Sequence, residues 1–318
     1  MSYVVTGGCG FIGSNFVNYL CDTTDHDVFV IDKMTYAADE ANIDLDHYRS
    51  GQVRVYKCDL ATECQSLDTI FEHTNVKGVF HFAAESHVDN SITGPRVFVD
   101  ANVMGTFNML EYVRNNGNCR FLHVSTDEVY GALTETGPSF TECMRLDPNN
   151  VYSATKAASD LLVRSYHKTY ALDVVTTRCC NNYGPRQDKE KLLPKVISNA
   201  LNEQPIPVYG KGDNVREWIF VRDHCHYIYE AFKAGKAGEV YNIGSGIEIK
   251  NLDLVKNVLT KVNKPFNLIK FVNDRPGHDF RYSIDSSKLN ALVSHKCKSF
   301  DVGLDETIKW YKESVKQA

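Results

Sequence analysis

The sequence predicts a doubly wound α/β fold: a parallel sheet covered by helices on both faces, followed by a smaller C-terminal lobe. Three observations predict it. Short apolar runs alternate with helical patterns up to about residue 183, the rhythm of a parallel sheet buried on both sides. A glycine-rich turn follows the first run directly, as in nucleotide-binding sheets. Beyond that point prolines at 185, 194, 205 and 207 and a Gly-Lys-Gly-Asp loop at 210–213 replace the alternation.

The strands are read in order as Y-V-V-T (3–6), D-V-F-V-I-D (27–32), V-R-V-Y-K-C-D (53–59), G-V-F-H-F-A (78–83), R-F-L-H-V-S (120–125) and D-V-V-T-T-R-C (173–179). Between the first two, Ile12, Phe16 and Leu20 recur at helical spacing and form one face. A later run, E-V-Y-N-I-G (239–244), reads as a further strand, and Leu304, Ile308, Tyr311 and Val315 mark a closing amphipathic helix. These patterns divide the chain into a nucleotide-binding domain over 1–183, with a returning segment near 217–244, and a substrate lobe over 184–318.

Composition narrows the class. The 318 residues are 43% hydrophobic and 24% charged, with a net charge of −5. These are the values of a globular protein, and they give no basic footprint for nucleic acid. No run approaches the roughly 18 apolar residues that span a membrane. The first residues enter a strand and a turn at once, which predicts no signal peptide and a cytoplasmic protein. Ten cysteines follow no Cys-x-x-Cys pattern; they are expected to be reduced thiols, with no metal site.

The turn T-G-G-C-G-F-I-G places Gly7, Gly10 and Gly13 three residues apart, with Phe11 and Ile12 opening the helix. Glycine lets the backbone turn tightly and approach a pyrophosphate, whose charge then sits at a helix N-terminus. Asp32 ends the second strand 19 residues after Gly13. A carboxylate there bonds ribose hydroxyls and repels a 2′-phosphate, so NAD is expected over NADP, with Lys33 beside it acting in the other direction. Asp59 and Leu60, after the third strand, are candidates for the adenine side; a lone acid at a strand end also serves as a helix cap.

Tyr152 and Lys156, in Y-S-A-T-K, stand at i and i+4 on one helix face. An ammonium beside a phenol favours the phenolate, as does an oxidised nicotinamide, which predicts a lowered tyrosine that removes a hydroxyl proton while hydride leaves the same carbon. Thr126, at the end of the fifth strand, is placed to bond the reacting oxygen. Asp127 and Glu128 follow it directly. Two carboxyl groups in one pocket push their pKa values apart, giving one acid and one base. Consecutive strand residues point to opposite faces, so both serve one pocket only if the chain leaves strand geometry at Thr126.

These segments, with F-A-A-E-S-H-V-D (82–89), R-C-C-N-N-Y-G-P, G-K-G-D-N-V-R-E-W and D-R-P-G-H-D, resemble the extended short-chain dehydrogenase/reductases over nearly the whole chain. S-T-D-E narrows the resemblance to their nucleotide-sugar 4,6-dehydratases. The resemblance implies a Rossmann-like fold, bound NAD, a homodimer formed through the Tyr152 helix and the helix near 95–115, and a nucleoside-diphosphate glucose as substrate, thymidine-linked before uridine-linked. It further implies oxidation at carbon 4, loss of water across carbons 5 and 6 with Glu128 as base and Asp127 as acid, and hydride return to carbon 6. Ala83 is implied beside the cofactor. Ser86, Asn182 and Glu190 are implied at the sugar; Tyr209, Arg216, Asn251, Arg275 and His278 at the diphosphate and nucleoside. Guanidinium groups suit phosphate because they offer paired donors.

One segment departs from the pattern. Where the family continues with aromatic residues and proline after N-Y-G-P, this chain has Arg186, Gln187, Asp188 and Lys189, although Glu190 keeps its spacing. Two other readings stand beside the dehydratase. A 4-epimerase or decarboxylase on the same scaffold leaves Asp127 and Glu128 without a role. A non-catalytic NAD-sensing protein has no use for an intact Thr126, Tyr152 and Lys156.

Overall fold

The computed structural model describes residues 1–62, 64–116, 119–274 and 278–317, with side chains up to 314 at the C-terminus. Seven parallel strands form the central sheet in the order β10-β6-β5-β4-β1-β2-β3. Their bounds are β1 Ser2–Thr6, β2 Asp27–Asp32, β3 Val53–Lys57, β4 Val76–His81, β5 Arg120–Thr126, β6 Val174–Cys179 and β10 Val240–Ile243. Between β6 and β10 run β7 Asn181–Tyr183, β8 Ile206–Tyr209 and β9 Val215–Phe220; β11 Glu248–Lys250 and β12 Ile269–Val272 follow. The order reverses between β1 and β4, which opens a crevice at the carboxyl ends of those two strands.

Strand alternation builds two cores. Tyr3 and Val5 of β1, Val28 and Val30 of β2, and Leu122 and Val124 of β5 join Phe16 and Leu20 of the Phe11–Thr23 helix and Ile228 of the Val221–Ala234 helix. The intervening Val4, Phe29, Ile31 and Phe121 face the other way, against Met109 and Leu110 of the Gly105–Asn116 helix and Val163 and Tyr166 of the Val151–Tyr170 helix. Near-continuous apolar strands arise because both faces are covered.

A third core lies in the second lobe. It gathers Leu193, Val196 and Ile197 of the Leu192–Leu201 helix, Trp218 of β9, Leu254 and Val258 of the Asn251–Lys261 helix, and Leu304, Ile308 and Tyr311 of the closing Phe300–Gln317 helix. The Val315 side chain and Arg275 lie outside the described residues. β7, β9 and β11 form one small sheet and β8 with β12 another.

The cysteines depart from expectation. Cys58 and Cys64 pair as a disulfide with their Cα atoms 6.0 Å apart. A six-residue spacing carries no ligand-like signature to announce the pairing. The other eight are free.

Candidate active site

The crevice at the strand ends is a cavity of about 320 Å³. Its cofactor side is built by the first turn. Gly7 takes φ +69°, and a Cβ there would lie 2.7 Å from the backbone nitrogen of Ala83. A Cβ on Gly13 would lie 2.1 Å from the Gly7 carbonyl oxygen, so the helix packs directly on the turn. Gly10 differs, since its Cβ would meet only that oxygen, at 3.5 Å. The space it leaves belongs to the cavity, which is the cradle a pyrophosphate requires. Phe11, Ile12, Leu60 and Ala83 line the same side.

Asp32 is buried and orders the turn around it. Its carboxylate accepts the backbone N–H of Cys9 at 2.9 Å and of Met34 at 2.8 Å. Lys33 pairs with Asp59 at 2.7 Å, and Asp59 also accepts the Ala61 N–H at 3.0 Å. The Lys33 charge, which weakens the preference against a 2′-phosphate, is therefore balanced by Asp59 across the β2 and β3 ends. The groups present fit a dinucleotide with free ribose hydroxyls.

The chain leaves extended geometry at Thr126, as two carboxyl groups in one pocket require. Thr126 closes β5 and caps the one-turn helix Asp127–Tyr130, its Oγ1 accepting the Glu128 N–H at 3.3 Å. The Thr126 hydroxyl donates to Asp127 Oδ1 at 3.2 Å. Asp127 is 2% exposed, and its Oδ2 has no hydrogen-bond partner among the described residues. Burial first, then the charges of Glu128 and Glu217, hold its pKa well above the ordinary carboxylate range. The raised pKa favours the protonated form of Asp127, the form a general acid needs. Thr126, Asp127 and Glu128 line the cavity with Tyr152 and Lys156.

The Val151–Tyr170 helix starts at a capping box. Asn150 Oδ1 accepts the Ser153 N–H at 2.9 Å and Ser153 Oγ accepts the Asn150 N–H at 3.2 Å. Tyr152 stands in its first turn, with Phe98 edge-on to its ring. The expected lowering of its phenol is not what the structure gives. Burial, then the Glu128 charge, then Cys179, lift the pKa well above its ordinary value, and Thr126 acts in the lowering direction through its hydrogen bond. Lys156 Nζ donates to the Val124 carbonyl oxygen at 2.8 Å.

Ser86, Asn182 and Glu190 line the far side of the cavity. Asn182 Oδ1 contacts His224 Nδ1 at 2.7 Å. Glu190 lies between His87 and Lys191, at 3.8 and 3.7 Å, and Lys191 Nζ donates to the Ser86 carbonyl oxygen at 2.8 Å. The departing segment is pinned in place. Gln187 is buried and donates to the Asn182 carbonyl oxygen at 3.0 Å, the Tyr311 hydroxyl bonds the Gln187 carbonyl oxygen, and Arg186 reaches Asp44 at 2.7 Å. Gln187 and Asp188 line the cavity, so this wall is built of amide and carboxylate instead of aromatic rings.

Tyr209, Arg216, Asn251 and His278 form a separate group outside that lining. Arg216 is 5% exposed and donates to the backbone carbonyls of Val215, Asp279 and Phe280, with its guanidinium over the Tyr282 ring at 4.4 Å. It still lies near enough to Asp127 to act on its pKa. The His278 ring stands edge-on to Tyr209 and pairs with Asp274 at 2.6 Å. Asn251 opens its helix with Oδ1 buried and without a hydrogen-bond partner among the described residues.

Sequence reasoning missed several lining residues, among them Glu85, Ser125, Cys179 and Lys191. It also missed Asn102. That buried side chain accepts the Glu85 N–H at 2.8 Å and donates to the Glu85 carbonyl oxygen at 3.1 Å and to Thr155 Oγ1 at 2.9 Å. It ties the loop after β4 to the Tyr152 helix. The segment F-A-A-E-S-H-V-D marked that loop, but nothing in the sequence marked its partner.

The family model described as GDP-mannose 4,6 dehydratase matches residues 4–307. The low-salt glycan biosynthesis protein Agl12 of Haloferax volcanii is 46% identical over 317 residues, 98% of each chain. A dTDP-glucose 4,6-dehydratase of Salmonella typhimurium is 41% identical, covering 98% of this chain and 92% of that one. Among solved structures, DesIV of Streptomyces venezuelae, a dTDP-glucose 4,6-dehydratase with NAD and TYD bound, is similar with a TM-score of 0.94 at 43% identity, covering 100% of this chain and 98% of that one. A match over this length, on a cavity built as described, establishes that the chain belongs to the sugar-nucleotide 4,6-dehydratases of the extended short-chain dehydrogenase/reductase fold.

Proposed function

We propose that this protein is an NAD-dependent hydro-lyase that converts a nucleoside-diphosphate glucose, dTDP-glucose before UDP-glucose, into the 4-keto-6-deoxy sugar nucleotide. The observation that carries the reading is the pair of carboxyl groups after Thr126. Asp127, whose pKa burial raises, shares one cavity with Glu128, Tyr152 and Lys156.

Gly7, Gly10, Gly13 and Asp32 would hold NAD at the strand ends. When bound, NAD supplies the hydride acceptor for carbon 4, the donor for carbon 6, and a positive ring that pulls the Tyr152 phenol downward. Tyr152 takes the proton of the 4-hydroxyl while Thr126 bonds its oxygen, leaving a ketone. The ketone acidifies the hydrogen on carbon 5, and Glu128 removes it. Asp127 gives its proton to the departing 6-hydroxyl, which leaves as water. Carbon 6 would then regain the hydride and carbon 5 a proton from Glu128, while the proton left on Tyr152 would restore Asp127, so the reaction consumes no cofactor.

The 184–318 lobe holds the nucleotide in this reading. Asn182 and Glu190 position the sugar; Arg216, Asn251 and Arg275 take the diphosphate, with Tyr209 and His278 at the nucleoside. A homodimer fits the surface. Ile92, Val97, Val99, Met104 and Phe107 are exposed beside Leu161 of the Tyr152 helix, an apolar face that a second copy would cover. No helix among the described residues is long and apolar enough to cross a membrane, and a cytoplasmic location is inferred.

The test is a mass spectrum of dTDP-glucose and UDP-glucose incubated separately with the protein in heavy water, with and without added NAD. The expected product has lost one water and gained one solvent deuterium at carbon 5, faster from dTDP-glucose. Unchanged mass with both substrates in both conditions would overturn the reading.

A further inference from the structure

Lys156 holds its charge in a place hostile to one. The residue is 4% exposed, and its hydrogen bond to the Val124 carbonyl goes to a neutral group. A buried ammonium without an anion gives up its proton. The groups around it come from four elements. β4 presents His81 and β5 presents His123, both kept neutral by burial. β6 presents the Cys179 thiol, which burial pushes up to about 12, and the Arg178 guanidinium. The helix itself presents Tyr152 and Asp160. Of these, Asp160 is the anion.

Asp160 stands one helical turn beyond Lys156, at the spacing that makes side chains neighbours, and is itself 4% exposed. Its Oδ2 accepts from Arg178 Nε at 2.8 Å, and its Oδ1 lies 3.3 Å from His123 Nε2. Arg178 is fixed in turn over the Tyr130 ring at 4.7 Å, and Tyr130 donates to Asn242 of β10 at 2.8 Å. Arg178 of β6 therefore holds the carboxylate behind the Tyr152 helix, outside the cavity lining.

We propose that Asp160 is a positioning residue for the redox pair: its buried carboxylate, held by Arg178, is the counter-ion that keeps Lys156 protonated. This rests on the reading of Tyr152 and Lys156 as that pair. Burial brings Lys156 down to about 8, with Asp160 as the largest opposing attraction. Burial pushes Asp160 up, but Arg178 and His123 outweigh it and hold the carboxyl at about 2, ionised throughout the working range. Without it Lys156 would keep the buried Arg178 cation behind the helix and lose the anion on that side.

The experiment follows formation of reduced nicotinamide from bound NAD and dTDP-glucose, against pH, in a Glu128→Gln background. Blocking dehydration there removes the titration of Asp127 from the readout. Asp160→Asn is expected to move the basic limb to lower pH by about one unit, which is roughly fivefold less oxidation at pH 8, approaching tenfold above it, with little change near pH 6. Asp160→Glu, which keeps the charge, is expected to restore most of the wild-type limb. Should Asp160→Asn fail to fold because Arg178 is stranded, the double variant Asp160→Asn/Arg178→Gln removes that charge as well and still shifts the limb. An unmoved limb with reduced amplitude or melting temperature would overturn the proposal. Lys156→Met separates the two readings. If it oxidises substrate normally, the assignment of the pair fails; if it is inactive while the Asp160 limb is unmoved, only the role of Asp160 fails.

Discussion

Thr126 Oγ1 accepts the backbone N–H of Glu128 at 3.3 Å, so the residue that ends β5 also starts the turn that carries both carboxyl groups. The same hydroxyl donates to Asp127. One side chain thus orders both carboxyl-bearing residues. Thr126→Ala is expected to cost about 1 kcal/mol of stability, as the loss of a helix cap does. Its loss of dehydration should be larger than that of Thr126→Ser, which keeps both bonds. A thermal melt with initial rates for the two variants checks it; equal rates would remove the hydroxyl from the mechanism.

Glu128→Gln should separate the two halves of the reaction. Carbon 4 oxidation uses Tyr152 and proceeds, but the carbon 5 proton has no base. Reduced nicotinamide is expected to build up on the protein while water loss falls by about 10²–10⁴. Nicotinamide absorbance and product mass, read on one sample, test this together. Dehydration at the wild-type rate would assign the base elsewhere.

The fold was legible because it is written in periodic patterns. Val4 and Val5 face opposite cores, and that is why β1 reads as one apolar run. The Thr126 turn was legible as a requirement, since two consecutive carboxyl groups share a pocket only if the strand ends. Other features rest on single pairings without periodicity. Asn102 clipping Glu85, Cys58 meeting Cys64 and Tyr311 bonding Gln187 join residues that no local spacing relates. The direction of the Tyr152 pKa was also hidden. It is a sum of burial and the Glu128 charge against Thr126, and the i, i+4 lysine that suggested a lowered value turns to the Val124 carbonyl.

The glycines of the first turn should respond differently to a methyl group. Gly13→Ala places a Cβ 2.1 Å from the Gly7 backbone oxygen, where nothing flexible yields, and is expected to destabilise the turn and the protein with it. Gly10→Ala meets that oxygen only at 3.5 Å and is expected to fold. Its methyl group occupies cavity space, so the NAD content of the purified protein should fall at least several-fold. A Gly10→Ala protein with full NAD content would place the pyrophosphate elsewhere.

The sheet interior predicts how stability responds to acid. His123 is wholly buried and neutral; burial first, then the Lys156 charge, bring its pKa down from 6.5 to about 4. In the unfolded chain the ring takes a proton near its ordinary 6.5, so between these values the unfolded state binds more protons. The neutral ring's contribution is fully present above about pH 6.5 and is lost as pH falls through 4. A shift of that size corresponds to about 3 kcal/mol. His81 beside it, stacked at 5.6 Å, is also pushed down and adds in the same direction. Denaturant unfolding between pH 7 and 4 should therefore show falling stability, with a shallower slope in His123→Asn if that variant folds. A flat profile across this window would mean that the buried rings accept protons without cost to the fold.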